Sequence, residues 1–219
     1  MKQFAVVGLG NFGFYLSVRL YEKGHDVLAI DKDPGRVQEI RDKVTQAVVA
    51  DATDAQAMKA LGVNQMDAAV VCIGSVLSDS ILATLNLIDI GVTDVMAKAM
   101  TEAHGRILRK IGASEIVFPE KDVAFSLAER LNNPNMIDYL PFLEGYSIIE
   151  LAPPKGFIGK SLRELDLINR YGIQVVAVKE IIPDRLSLIP TARFVFKDSD
   201  ILILLGPNEA LDKLREDAP

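Results

Sequence analysis

The sequence has no tryptophan, one cysteine and two histidines among 219 residues, and its 24 basic residues are outnumbered by 30 acidic ones. A single cysteine excludes an internal disulfide and fits a reducing cytoplasm. With so few His and Cys there is no zinc-type ligand spacing. The net charge of -6, with Asp and Glu spread along the chain, argues against a nucleic-acid partner, because binding a phosphate backbone needs a basic footprint. No run reaches the ~18 consecutive apolar residues of a membrane span. The uncharged stretch after Lys2 is broken by glycines and Asn11, so it reads as strand–turn–helix and not as a signal peptide. The protein is expected to be soluble and to reach any membrane only by docking. There is no G-x-S-x-G elbow and no P-loop. His25 is expected in a turn and His104 at the start of a polar helix, both at the surface and neither catalytic; Cys72 is expected as inert core.

What is present begins at the start of the chain. Phe4 to Val7 is a short apolar run, followed by Gly8, Gly10 and Gly13 in G-x-G-x-x-G spacing, and then by Phe12, Leu16 and Leu20 at helical intervals. The glycines therefore fall where a strand turns into a helix. Gly8 permits the turn, Gly10 removes a Cβ that would hold a pyrophosphate off the backbone, and Gly13 lets helix and strand pack closely. The head of that helix, with Asn11 and Phe12, would face the phosphates. Asp26 to Ile30 reads as a second strand ended by Asp31, about 20 residues beyond the glycines, where a carboxylate can accept hydrogen bonds from an adenosine ribose. An acidic residue there disfavours a 2′-phosphate, so NAD(H) or ATP/ADP is expected over NADP(H). The alternative is a ligand-free βα turn with Asp31 as a helix cap.

Further apolar runs alternate with helical patterns. Strands are expected at Ala47–Ala50, Ala68–Ile73, Val92–Ala99 and Ile116–Phe118, with Asp33 and Ser78 or Asp79 as helix caps and a helix from about Asp122 to Leu131. Six such alternations make a Rossmann-like doubly wound parallel α/β sheet over residues 1–134, with its ligand beyond the carboxyl ends of the strands. The residues at those ends add Lys32, Asp51, Ala52, Thr53, Ile73, Gly74, Lys98 and Glu120 to the candidate nucleotide site. Each has a plainer reading, as a turn, core or surface residue. Asn132 to Asn135 reads as a break, and 135–144 as a linker or crossover. Residues 145–219 then change character. Strands at Tyr146–Leu151, Gln174–Ile182 and Ile201–Leu205, an edge piece at Leu186–Pro190 and a Ser161/Glu164 capping box make a small α+β domain, expected to be completed by a second copy.

A nucleotide site without a reaction centre suggests that binding itself is the output. The chain also resembles the cytosolic regulatory subunits of bacterial Ktr/Trk potassium-uptake systems, which are RCK-type proteins. The resemblance rests on Lys2–Gly10, Gly24–Asp31, Ala52-Thr53, Lys110–Ala113, Pro119–Asp122, Gly159–Leu162 and Tyr171-Gly172. It implies an RCK-N domain followed by an RCK-C domain. It implies a homodimer assembling into an octameric ring, peripheral to the inner face of the membrane under an embedded potassium translocation subunit. Its ligand would be ATP/ADP, or NAD(H). By resemblance, Asp31 holds the ribose, Lys98 lies near the phosphates, and Glu120 is similar to an acidic residue that helps bind a divalent cation, Mg²⁺ or Ca²⁺, at the dimer interface. Arg170, Tyr171, Ile173 and Pro190 are the corresponding candidates for a cyclic di-AMP pocket. Where the family pattern has an arginine, this chain has Asn11, which implies weaker ATP/ADP discrimination. The other functional readings are a small NAD-dependent oxidoreductase and a soluble nucleotide sensor acting on something other than a channel.

Overall fold

The computed structural model describes residues 1–74, 76–132 and 136–217. They form two compact units, Met1–Glu120 and Lys121–Pro219, each with its own core.

The first unit alternates strand and helix. The strands are β1 (Gln3–Val7), β2 (Asp26–Asp31), β3 (Gln46–Val49), β4 (Ala68–Val71), β5 (Val95–Lys98) and β6 (Glu115–Val117). Between them lie α1 (Asn11–Glu22), α2 (Pro34–Ile40), α3 (Ala55–Ala60), α4 (Leu77–Asp89) and α5 (Glu102–Lys110). The sheet order is β3-β2-β1-β4-β5-β6, all parallel, so the order reverses between β1 and β4 and a crevice opens at their carboxyl ends. Each face of the sheet buries its own cluster: Val7, Ile30, Met58, Val71 and Leu87 in one, Val6, Val27, Ile40 and Val70 in the other. Every residue of β4 is buried, as expected of a strand covered on both sides.

Several boundaries differ from the sequence reading. β4 stops at Val71 and β5 starts only at Val95; just beyond those ends the Cys72 N–H still donates to the Val7 carbonyl and the Asp94 carbonyl still accepts from Ala69, while Ile73–Gly74 and Val92–Thr93 lie outside the ladder. Neither Ser78 nor Asp79 caps α4. Its cap position is Val76, with no side-chain bond; Ser78 Oγ donates to Asp79, whose carboxylate is engaged elsewhere. His104 is not a surface residue. It is 1% exposed, its backbone N–H donates to the Thr101 cap, and its Nδ1 accepts from the Met100 N–H.

The helix α6 (Pro119–Asn132) begins three residues earlier than expected, which places Glu120 in its first turn. The break assigned to Asn132–Asn135 lies, after Asn132, outside the described residues. The stretch expected as a linker is instead largely a strand, β7 (Met136–Leu143), paired antiparallel with β8 (Tyr146–Leu151). The second unit continues with α7 (Leu162–Leu165), α8 (Leu167–Tyr171), β9 (Gln174–Glu180), β10 (Arg185–Leu188), β11 (Asp200–Pro207) and α9 (Asn208–Asp217). Its antiparallel sheet runs β10-β9-β11-β8-β7. Burial alternates along β11, and α9 sends Leu211 and Leu214 into the core. The Ser161/Glu164 capping box is formed, with Ser161 N–H donating to Glu164 at 2.7 Å.

Candidate functional site

The crevice of the first unit is a cavity of about 310 Å³ at the carboxyl ends of β1 to β5. Its floor is the glycine bend. Gly8 adopts φ +94, and its N–H donates to the Ile30 carbonyl at 2.8 Å, tying the bend to β2. A Cβ at Gly13 would fall 1.9 Å from the Gly8 carbonyl oxygen, whereas one at Gly10 would meet nothing within 4 Å. Gly13 therefore serves helix–strand packing, and Gly10 faces the open cavity. The head of α1 has no side-chain cap and no acidic residue in its first turn, so its N–H groups and positive dipole end are left for an anion.

Asp31 is 8% exposed at the end of β2. One carboxylate oxygen accepts the Leu9 N–H at 2.6 Å and the other the Asp33 N–H at 2.9 Å. Arg36, one turn into α2, approaches the first at 3.5 Å. A carboxylate has about four acceptor sites, so Asp31 can brace the bend and still accept from a ribose hydroxyl. Beyond it, Asp51 accepts the Thr53 N–H at 2.9 Å and the Thr53 hydroxyl at 2.8 Å, and these bonds hold its pKa below the ordinary value. The Asn86 side chain on α4 donates to the Thr53 carbonyl at 2.8 Å, fixing the same loop from behind. Lys32 pairs with Asp79 at 2.9 Å, and that bond raises the lysine's pKa.

At the other end, Lys98 is nearly buried, with its Nζ 5.9 Å from the centre of the Phe12 ring and bonded to Glu120 Oε1. The hydrogen bond from Lys98 lowers the Glu120 pKa. Cys72 lies behind the bend, its thiol pushed up to about 12 by burial, which removes it as a nucleophile.

Of the sequence candidates, Gly8, Gly10, Asn11, Phe12, Asp31, Lys32, Asp51, Ala52, Ile73, Gly74, Lys98 and Glu120 all line this cavity. Gly13 and Thr53 do not; they act through packing and through Asp51. Arg36, Asp79 and Met100 line it although none of them was named as a site residue. Arg36 was legible only as a cation five residues beyond Asp31. Among the described residues no three His, Cys, Asp or Glu side chains gather into a metal site, and Glu120 faces a cation, so one chain does not by itself offer a divalent ion a coordination shell.

The second unit has a cavity of about 360 Å³ to which Ile173 and Pro190 contribute, with Arg163, Asp166 and Gln174 as polar lining. Arg170 and Tyr171 are not part of it. The Arg170 guanidinium lies 5.0 Å over the Tyr171 ring and donates to its hydroxyl at 3.0 Å.

Residues 4–119 match the TrkA-N domain and residues 146–218 the TrkA-C domain. The chain is 38% identical to the Ktr system potassium uptake protein C of Bacillus subtilis over 94% of its own length and 92% of the relative's. It belongs to the Ktr/Trk potassium-uptake family. Ktr system potassium uptake protein A of the same organism is 32% identical, covering 99% of this chain and 96% of that protein. The Vibrio alginolyticus protein A is 34% identical, over 96% and 94%. In fold the chain is similar to the RCK domain of GsuK, with TM-score 0.68 and 20% identity, across 99% of this chain and 47% of that one. It matches the GsuK channel bound to NAD equally well, across 100% and 40%. This chain thus spans less than half of either GsuK chain. The Rossmann-like first domain and small second domain expected from the sequence match the fold of that RCK domain.

Proposed function

We propose that this protein is the nucleotide-binding regulatory subunit of a membrane potassium-uptake system. The observation that carries the reading is the uncapped head of α1 behind Gly10, opening into a cavity that reaches Asp31. The adenosine lies over β2 and β3, with its ribose on Asp31 and its base against the Asp51–Ala52 loop. The pyrophosphate rests on the glycine bend, and the remainder of the ligand extends over β4 and β5 toward Ile73, Gly74 and Lys98. ATP/ADP and NAD(H) share this ADP moiety. Binding shifts the conformation of an assembly of copies, a homodimer within a ring, and an embedded potassium translocation subunit reads the change from the cytoplasmic side. No helix of the described residues is long and apolar enough to cross a membrane, in keeping with a docked subunit. The protein itself performs no chemistry. A divalent cation at Glu120 would need carboxylates from two copies, and a cyclic dinucleotide would bind the second domain at a face including Ile173 and Pro190.

Thermal shift with NADH, ADP, ATP and cyclic di-AMP tests the reading. Each ligand that binds only the folded state raises Tm by linkage. Asp31→Asn should abolish most of the shift by the adenine nucleotides and leave any shift by cyclic di-AMP. No shift by any adenine nucleotide would refute the site, and failure to co-purify with a potassium translocation subunit would refute the partner.

A further inference from the structure

His104 does not line the nucleotide cavity, yet it is tied to the cavity wall. The ring is 1% exposed, on the buried face of α5 with Gly105 and Leu108. Its Nδ1 accepts the Met100 N–H at 3.3 Å. Met100 belongs to the connection between β5 and α5, and it lines the cavity. A Cβ at Gly74 would fall 3.0 Å from the Met100 sulfur, so the Met100 side chain also packs against Gly74, another wall residue. One hydrogen bond thus joins a buried imidazole to a residue that a ligand in the cavity would meet.

Because Nδ1 accepts, the neutral ring carries its proton on Nε2, which is buried without a hydrogen-bond partner among the described residues. A second proton can go only to Nδ1. There it faces the Met100 N–H, donor against donor, and the bond is lost. A buried, unpaired charge is costly, so either the ring or the connection has to move, and Met100 loses its tether in both cases. The charges on the surrounding elements do not offset this. α5 itself carries Glu102, Arg106, Arg109 and Lys110, and it packs on α4, with Asp79 and Asp89, and on β6, with Glu115. Lys98 ends β5 and is bonded to Glu120, which stands in the first turn of α6 beside Lys121 and Asp122. Among the described residues, burial alone lowers the His104 pKa, with no contribution from any of these charges.

We infer that His104 is a proton-linked positioning residue of the cavity wall: the neutral ring holds Met100 in the arrangement that accepts nucleotide, and protonation loosens that wall and weakens binding. The inference rests on the nucleotide reading above and adds a regulator to the same site. Linkage makes the relation reciprocal, so bound nucleotide opposes protonation and binding releases protons. The sign follows from burial. The folded pKa lies below 6.5, so affinity is complete above about pH 6.5 and falls as pH drops through the folded value.

The test is calorimetry with NAD⁺ on the full-length protein. The phosphodiesters of NAD⁺ do not titrate between about pH 5.5 and 7.5, and ordinary carboxylates stay ionised there. Kd should rise about threefold from pH 7.5 to pH 5.5. At about pH 6, titrations in two buffers of different ionisation enthalpy should show protons released on binding. In His104→Gln the amide oxygen can accept the Met100 N–H and nothing titrates, so Kd should be the same at both pH values and the proton release should vanish. His25→Gln is the control. His25 accepts the Lys2 N–H beside the start of β1, at the opposite end of the sheet from the cavity, so its variant should keep the parent's profile. Circular dichroism should show the parent and both variants folded at pH 5.5. Equal Kd at both pH values in the parent, no proton release from it, or a His104→Gln profile that matches the parent's would each overturn the linkage. Should His104→Gln fail to fold, the proton count on the parent decides alone. If NAD⁺ binds the parent at neither pH, the nucleotide site itself is refuted and this linkage with it, so the two failures are distinguishable.

Discussion

Gly10 and Gly13, three residues apart in one bend, have opposite jobs. Gly10 has an ordinary backbone conformation, φ -65, and open space where a Cβ would stand. Gly10→Ala should therefore fold, with Tm within about 2 °C of the parent, yet bind nucleotide about tenfold more weakly, because the methyl enters the phosphate position. Gly13→Ala drives a Cβ into the Gly8 carbonyl and should cost more than about 3 kcal/mol, read as lost soluble yield and a collapsed melt. Equal behaviour of the two variants in paired melts and titrations would contradict the assignment. The packing role of Gly13 was legible in the sequence because the spacing encodes it. The surroundings of His104 were not read: Glu102, Arg106, Arg109 and Lys110 made the helix look polar, while His104, Gly105 and Leu108 are its buried face. Burial holds the His104 pKa below its usual 6.5, and its Nε2 is buried without a hydrogen-bond partner among the described residues. The unfolded chain therefore takes up the proton first. The stability this group contributes is intact above about pH 6.5 and is lost as pH falls toward the lower folded pKa. Tm should decline between about pH 7.5 and 5.5, and His104→Gln should flatten that slope; an unchanged slope would assign the effect to other groups.

At the scale of elements, sequence patterns found every strand of the parallel sheet, because each is a continuous apolar run between turn residues. They misjudged where strands end. At β4 and β5 the apolar run continues past the ladder into Cys72 and Ile73, or precedes it at Val92, and periodicity cannot separate a paired residue from an apolar one in a loop. β7 was missed for a different reason. After the break at Asn132–Asn135 the stretch was read as a linker or crossover, and its pairing with β8 at the edge of the sheet is a contact that no local pattern encodes. The cap of α4 was missed because Asp79, a good capping residue, pairs with Lys32 across the cavity instead. Loop positioning by Asn86 was invisible as well. Its bond to the Thr53 carbonyl joins residues 33 apart, and no local pattern encodes such a pairing.

At the scale of the whole molecule, α6 carries an exposed apolar stripe among the described residues. Val123, Leu127 and Leu131 recur every four residues along one line of the helix and are 67%, 47% and 75% exposed. Phe125, 59% exposed, lies on the opposite side of the helix and is not part of this stripe. Leaving these side chains in water forfeits about 25 cal/mol for every Å² that burial would remove, and contiguous exposed apolar surface marks an interaction site. A second copy of this chain is the occupant we expect, since the same helix on both chains gives a self-complementary contact about a two-fold axis. The sequence made this stripe visible as periodicity but gave no reason to think it uncovered, because burial is a property of the folded chain. Val123→Glu combined with Leu127→Glu places two carboxylates per chain in that contact, where desolvation and like-charge repulsion oppose association. Light scattering after gel filtration should show the parent as a dimer or larger at micromolar concentration and the variant shifted to monomer. The helical signal in circular dichroism should stay unchanged, since both positions face solvent in the single chain. A variant that keeps the parent's mass would remove α6 from the interface and leave the stripe to a different partner.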